Sequence, residues 1–286
     1  MRIASVSDLH IDHPANLAVL VEMASVIHAG RADVVLVAGD VSHVDSHILG
    51  VIRSFQVVAE EVVYVPGNHE LWQVDGPIDS WRRYRDDLRA LVEDAGAHYL
   101  PTKPFVSEGV AICGTCGWYD HSFLLPEIAK TIDPASLERK TLDGMTWSDV
   151  RYVAFRDAEG RAMTDAEVAD VMKAELSAQL DHLNKDPLVR SVLAVTHHLA
   201  FSEAVQRTHS LPWEFFNAFM GSRSLGDVIR RCPKVRAAVY GHTHEPGQFV
   251  VDGIRVVGSP LGYPMERRGK SVQEIAKSRV AWIDLF

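Results

Sequence analysis

Five short polar clusters in this sequence combine carboxylate, amide and imidazole side chains in patterns that suit metal binding. In two of them the polar residues are separated by a single residue, so both side chains would point to the same side of an extended segment. Carboxylate oxygens and neutral imidazoles are ligands for Mn²⁺, iron and Zn²⁺. The clusters are, in chain order, SDLH (Asp8, His10), AGD (Asp40), GNHE (Asn68, His69), THH (His197, His198) and GHTH (His242, His244).

Each cluster follows a short β-branched run that predicts a strand, and residues 14–29, 46–60, 79–95 and 164–184 have the apolar spacing of amphipathic helices. This alternation predicts an α/β fold with a largely parallel sheet covered on both faces. Ligands of such sheets bind at the rim where the strands end. We therefore expect the five clusters to meet there, with glycines 39, 67 and 241 allowing sharp turns.

Two parts of the chain depart from this alternation. Residues 247–260 form two strand-like runs around Asp252-Gly253, a pattern typical of a hairpin, and residues 279–286 predict a closing strand. Residues 120–163 have no clean period, and we interpret them as an insertion in a single 1–286 domain. Either a lid over the site or an ordinary surface excursion fits this insertion.

Composition limits the partners of the protein. The 286 residues are 47% hydrophobic and carry a net charge of -9, without a long basic stripe, which disfavours nucleic acid and anionic membranes. No apolar run reaches the ~20 residues of a membrane span, and no secretory leader is recognisable. Three cysteines favour a reducing cytoplasm. Cys113 and Cys116 have C-x-x-C spacing, but buried thiols are a better interpretation than a redox or zinc pair.

The order of the clusters resembles that of the calcineurin-like metallophosphoesterases: D-x-H, GD, GNH followed by Asp or Glu, H, and GHxH. All five blocks occur between Asp8 and His244. The resemblance implies a four-layer αββα sandwich, two mixed sheets flanked by helices. It also implies two divalent or trivalent transition-metal ions per chain (Mn, Fe or Zn). One would be bound by Asp8, His10, Asp40 and His244, the other by Asp40, Asn68, His197 and His242.

The function implied by the resemblance is hydrolysis of a small phosphodiester or phosphomonoester by a metal-bridging hydroxide. Asp40 would bridge the ions and His69 would protonate the leaving group. Protein phosphatases of the family carry GD-x-x-D-R-G, whereas here His43 replaces the second Asp and Val44 the Arg. The Asp–His pair of those enzymes is thus absent or supplied by Asp45, and protein phosphatase activity is disfavoured.

The chain is more similar to the small bacterial branch that includes class III cyclic nucleotide phosphodiesterases. In that branch a residue such as His198 often lies beside the active centre, so we expect it near the substrate or behind the metal ligands, unless its role is structural. Tyr119, Asp120 and His121 follow the strand over residues 109–115 on the same rim. They are therefore candidates for the substrate pocket wall.

Two alternative functions remain at this stage. A nucleotide-conjugate pyrophosphatase would use the same metal centre, with Arg267, Arg268 and Lys270 binding an extra phosphate, although a solvated charge run is the preferred interpretation of these residues. A non-catalytic metal-binding interaction module is disfavoured because all seven ligand positions and His69 are present.

Overall fold

The computed structural model of the protein describes residues 1–76 and 78–286. The strands follow one another along this chain as β1 (Arg2–Val6), β2 (Val34–Ala38), β3 (Glu61–Val65), β4 (His98–Tyr99), β5 (Phe105–Ser107), β6 (Val110–Thr115), β7 (Thr141–Leu142), β8 (Met145–Thr146), β9 (Ser191–Thr196), β10 (Val235–Tyr240), β11 (Gly247–Val251), β12 (Ile254–Gly258) and β13 (Ala281–Asp284).

The helices are α1 (Pro14–Gly30), α2 (Asp45–Gln56), α3 (Ser80–Arg82), α4 (Leu88–Asp94), α5 (Pro126–Ala129), α6 (Pro134–Glu138), α7 (Asp149–Tyr152), α8 (Asp165–Lys185), α9 (Leu211–Asn217), α10 (Arg223–Arg231) and α11 (Val272–Ser278). A π-helical turn joins α3 to α4. Local sequence explains the start of the longest helix, because Thr164 and Glu167 form a capping box at α8. The four helices predicted from periodicity all occur at or within a few residues of their expected ranges.

Two mixed sheets form the centre of the molecule. The first has the order β13-β1-β2-β3-β4 and the second β11-β12-β10-β9-β6-β5. The inner strands are parallel, whereas β13, β11 and β5 run antiparallel to their neighbours. The predicted hairpin is confirmed as β11–β12, with Asp252 and Gly253 at φ 50° and 82° in the turn.

Strand β2 illustrates how the layers pack. Leu36 and Ala38 face the second sheet, where they join Val195 and Val239 in an apolar layer between the sheets. Val35 and Val37 point the other way, into the cluster that includes residues of α1 and α2. Helices α8 and α10 cover the outer face of the second sheet. The expected αββα sandwich is therefore confirmed, and it explains why the strands are apolar on both faces.

Residues 120–163 contain the short helices α5, α6 and α7 and the small hairpin β7–β8. Thr146, Trp147, Ser148 and Asp149 of this segment line a cavity, but its opening as a lid stays a prediction. All three cysteines are buried free thiols, as the preferred interpretation of the C-x-x-C pair expects. Within residues 1–76 and 78–286, no helix is both long and apolar enough to cross a membrane.

Candidate metal centre

The five polar clusters meet at the rim formed by the carboxyl ends of the central strands. The loops after β1, β2 and β3 come from the first sheet, and those after β9 and β10 come from the second. Positive φ angles are uncommon for residues other than glycine and are often found at functional sites. They occur here at Asp8 (52°), His10 (39°), Asp40 (55°), His242 (71°) and His244 (58°).

Glycines at the rim allow the carboxylates to approach the backbone closely. Gly39 has a φ of 86°, as a sharp turn requires. At Gly67 an added Cβ would lie 2.2 Å from Asp40 Oδ1, and at Gly241 it would lie 2.8 Å from Asp8 Oδ2. These two glycines are needed because a side chain would displace a candidate ligand.

The first group of candidate ligands consists of Asp8, His10 and His244, with ligand atoms within 4.8 Å of one another. The Nε2 atoms of the two histidines face each other at 2.9 Å. Nδ1 of His244 lies 3.0 Å from Glu266 Oε2, so the Nδ1 proton is donated to this carboxylate. Nε2 of His244 is then left with its lone pair, which is the arrangement that a metal ligand requires.

The second group consists of Asp40, His197 and His242. Nδ1 of His197 donates to the Ala38 carbonyl oxygen over 2.8 Å, and its Nε2 lies 3.3 Å from Asp40 Oδ2. Nε2 of His242 donates to the Phe219 carbonyl oxygen over 3.1 Å, which leaves Nδ1 as the free atom. Each imidazole is therefore fixed by a backbone carbonyl on the side away from the site.

Charge at the centre is balanced by protons in the absence of metal. Burial raises the pKa of Asp40, but the surrounding imidazoles, His197 first, outweigh it and hold the pKa well below its usual range. Burial lowers the pKa of His197, but the Asp40 carboxylate outweighs burial and raises the pKa to about 10. Burial lowers the pKa values of His10 and His242, which remain neutral. Metal binding would displace the proton of His197.

Two buried acceptor atoms at the centre have no hydrogen-bond partner in the described residues: Asp8 Oδ2 and Asn68 Oδ1. Buried acceptors without partners are costly, at about 1–3 kcal/mol each. Cations bound at the two ligand groups would satisfy both atoms. The combined donor set of carboxylate, amide and imidazole atoms thus fits transition-metal ions.

His69 lies beside this centre and has two possible roles. It forms a third group with His10 and Asp40 that could hold a metal ion. However, its ring is stacked on Trp72 at a centroid distance of 3.7 Å and is part of the wall of a cavity. Its backbone N–H, rather than its ring, donates to Asp40 Oδ1 over 3.0 Å. The ring therefore remains available to a substrate in the cavity.

The cavity has a volume of about 360 Å³. Its lining includes Asp40, Asn68 and three imidazoles, and its other walls are largely aromatic and apolar. No lysine or arginine is among the described residues that line it. The residues of the walls are Trp72, Thr146, Trp147, Ser148, Asp149, Trp213, Phe216, Asn217, Met220, Thr243 and Tyr263.

Comparison with known proteins identifies the family. The family model of the calcineurin-like phosphoesterases matches residues 1–246. The chain belongs to this family. It is a metal-dependent phosphoric ester hydrolase, as the sequence motifs predict.

Among curated relatives, the chain is similar to acyl-carrier-protein phosphodiesterase PptH of Mycobacterium tuberculosis, with 27% identity over 92% of this chain and 78% of the relative. The crystal structure of phosphopantetheinyl hydrolase PptH of M. tuberculosis has a TM-score of 0.71 at 22% identity, and the match covers 98% and 95% of the two chains. A dimetal phosphatase of Danio rerio has a TM-score of 0.51 at 13% identity, covering 90% and 86%. The two structures show the same fold.

The residues expected to form a pocket wall after β6 do not line the cavity of this phosphoesterase. Tyr119 is fully buried, and its hydroxyl donates to Asp149. Asp120 accepts hydrogen bonds from Ser222 and from a backbone N–H of its own loop. His121 Nε2 lies 3.5 Å from Asp165. The structure differs from the expectation because strand polarity gives the rim but not the direction of each side chain.

The other candidates around the centre lie behind or outside the cavity. His198 is buried, packs against the His242 ring at 4.2 Å, and has a pKa lowered to about 3 by burial. It therefore lies behind His242, a candidate ligand, which is one of the two placements expected for it. His43 does not line the cavity, and Asp45 is exposed and pairs with Arg83 instead of with His69.

The basic segment near the C-terminus agrees with the expectation of a solvated charge run at two residues and differs at Arg267. Arg267 is buried, does not line the cavity, and donates to Asn16 Oδ1. Arg268 and Lys270 are exposed. Arg267 is thus part of the packing behind His10, since Asn16 also donates to the His10 carbonyl oxygen.

Three carboxylates that support the centre were missed by sequence analysis. Glu70 accepts from the backbone N–H groups of Asp40, Val41 and Gly67, and so joins two ligand loops. Its place in the GNHE motif was the available indication. Glu266 binds His244, and Asp149 binds Asn68, but no local pattern marks either residue.

Proposed function

We propose that this chain is a two-metal phosphodiesterase that releases a phosphopantetheinyl group from an acyl carrier protein, by hydrolysis of the phosphodiester that joins this group to a serine side chain. The observation that carries the proposal is the cavity beside the metal cluster, with largely aromatic and apolar walls and no lysine or arginine among its described lining residues. Similarity to the M. tuberculosis phosphodiesterase over 92% of the chain supports this choice of substrate.

The proposed ligands are Asp8, His10, Asp40 and His244 for one ion, and Asp40, Asn68, His197 and His242 for the other. Two ions bound there would supply activated water and neutralise the phosphoryl oxygens. Mixed nitrogen and oxygen ligands favour Mn, Fe or Zn. Asp40 would be shared, because its Oδ2 faces both His10 at 3.9 Å and His197 at 3.3 Å.

His69 is proposed as the proton donor to the leaving group. A serine alkoxide is a poor leaving group, so its departure depends on a proton delivered to its oxygen. His69 lines the cavity and is held by stacking on Trp72. Transfer to the serine oxygen requires the proton to be on the ring nitrogen of His69 that faces the substrate.

The composition of the cavity supports a neutral substrate arm over a nucleotide polyphosphate. A phosphodiester has one negative charge, which the metal centre would neutralise. Trp72, Trp147 and Trp213 offer apolar contacts, and Asn217 and Thr146 offer hydrogen bonds for amides. A second phosphate would find no lysine or arginine among the described lining residues. This disfavours the nucleotide-conjugate pyrophosphatase as the second candidate.

The test is incubation of the Mn²⁺-loaded protein with a phosphopantetheinylated acyl carrier protein in H₂¹⁸O, followed by mass spectrometry of both products. We expect an unmodified carrier protein and free phosphopantetheine with ¹⁸O in its phosphate. Asp40→Asn should abolish the release. An intact carrier protein, together with turnover of a cyclic nucleotide or a nucleotide diphosphate conjugate, would refute the proposed substrate.

Three free thiols support our further proposal of a reducing, cytoplasmic location.

A further inference from the structure

The side chain of Asp149 accepts four hydrogen bonds, although the residue lies in a segment with no clean sequence period. It is the first residue of α7, in the segment 120–163, and is only 1% exposed. Oδ1 accepts from Asn68 Nδ2 over 2.9 Å and from Trp72 Nε1 over 2.7 Å. Oδ2 accepts from Trp147 Nε1 over 2.8 Å and from Tyr119 Oη over 3.1 Å. The four donors match the roughly four lone-pair sites of a carboxylate.

We propose that Asp149 is a positioning residue that orients the amide of Asn68 for metal binding and couples this orientation to the tryptophan walls of the cavity. The inference rests on the proposed metal-dependent function. It gives segment 120–163 a role inside the centre, beyond that of a covering loop.

The orientation follows from hydrogen-bonding capacity. Both carboxylate oxygens of Asp149 accept from indole N–H groups, which can only donate, so the NH₂ group of Asn68 must face Asp149. Oδ1 of Asn68 lies on the other side of the planar amide. This oxygen is buried without a hydrogen-bond partner in the described residues. A reversed amide would place its oxygen against the carboxylate and its NH₂ group toward the cation. Asp149 therefore disfavours the reversed state.

The coupling follows from the two tryptophans. Trp72, bound to Oδ1, is stacked on His69. Trp147, bound to Oδ2, packs edge-on against His242 at a centroid distance of 5.5 Å. The Asp149 carboxylate thus contacts the candidate ligand Asn68 directly. Through the two tryptophan rings of the cavity wall it also supports the proposed proton donor His69 and the candidate ligand His242.

The first test measures Mn²⁺ binding by calorimetry in the absence of substrate, for Asp149→Asn and for a matched control, Asp165→Asn. Asp165 also accepts from a tryptophan, Trp118 Nε1 over 3.0 Å, but no hydrogen bond joins it to Asn68. We expect Asp149→Asn to lower the affinity for one of the two ions about 10–100-fold. The control should bind both ions as the wild type does. Equal effects of the two substitutions would contradict the proposal.

A double-mutant cycle separates orientation from general stability. If Asp149 acts through Asn68, Asp149→Asn in an Asn68→Ala background should cause little further loss of metal affinity, whereas independent losses would add. Additive losses would overturn the proposal. If Asp149→Asn does not fold, Tyr119→Phe removes one of the four donors and should measurably lower the affinity for the same ion, by up to ~10-fold. Unchanged affinity in Tyr119→Phe would then count against the proposal.

Failure of the substrate proposal is distinguishable from failure of this inference. A wild-type protein that binds two ions but leaves the carrier protein intact would refute only the substrate, and the Asp149 result would still be decided by metal titration. A wild-type protein that binds no second ion would refute both the two-metal centre and the role of Asp149.

Discussion

Replacement of His69 by alanine separates the two roles that the structure allows for this residue. The Asp40 carboxylate accepts from the His69 backbone N–H, which alanine retains, so the ligand loop should keep its conformation. A general acid contributes about 10²–10⁴ to the rate, which corresponds to about 2.7–5.4 kcal/mol of the barrier. We expect a loss in this range for an alkyl leaving group such as serine, with both metal ions retained.

The assay compares metal content with kcat over a series of aryl phosphodiesters whose leaving groups range from acidic to weakly acidic phenols. An acidic phenol departs without a proton, so the variant should lose little activity on it and progressively more as the phenol becomes less acidic. His98→Ala is the matched control, because this histidine pairs with Glu61 at an exposed position. Loss of one ion from His69→Ala would show that His69 is a ligand, and an equal loss of activity on every ester would show that it does not protonate the leaving group. Either result would refute the reasoning.

Three further predictions follow from the contacts at the centre. Glu266→Gln replaces the carboxylate that accepts the Nδ1 proton of His244. The affinity for one ion, measured by calorimetry, should fall about 10–100-fold; unchanged affinity would contradict this role. Trp213 lies at the cavity wall and is 43% exposed. Its replacement by alanine should raise KM for the carrier protein, while kcat for a small aryl diester stays constant. Without metal, His197 holds a proton with a pKa of about 10. Metal binding should therefore release protons, and the metal affinity should fall as pH falls from 8 to 6. Calorimetry in buffers of different ionisation enthalpy tests this, and binding without proton release would refute the assignment.

The rim of the site was predictable because strand direction and polar clusters are both local features of the sequence. Asp8, Asp40 and His242 each follow a short apolar run, and parallel strands place such positions together whatever their separation along the chain. The layer architecture followed from the family resemblance and agrees with the alternation of strands and helices.

The support of the site was not predictable in the same way. Asp149 meets Asn68 across 81 positions through an irregular segment, so no period or motif connects them. Tyr119 illustrates the reverse error: its position on the rim was correct, but its side chain turns inward to Asp149. Such contacts depend on tertiary packing, which a single sequence does not reveal through local patterns.

The central claim, a two-metal centre that shares Asp40, is tested most directly by anomalous scattering from crystals grown with Mn²⁺. We predict two manganese peaks ~3.5–4 Å apart, one on each side of the Asp40 carboxylate, with Asn68 Oδ1 directed at the ion nearer His197. A single peak, or peaks that Asp40 does not join, would contradict the account.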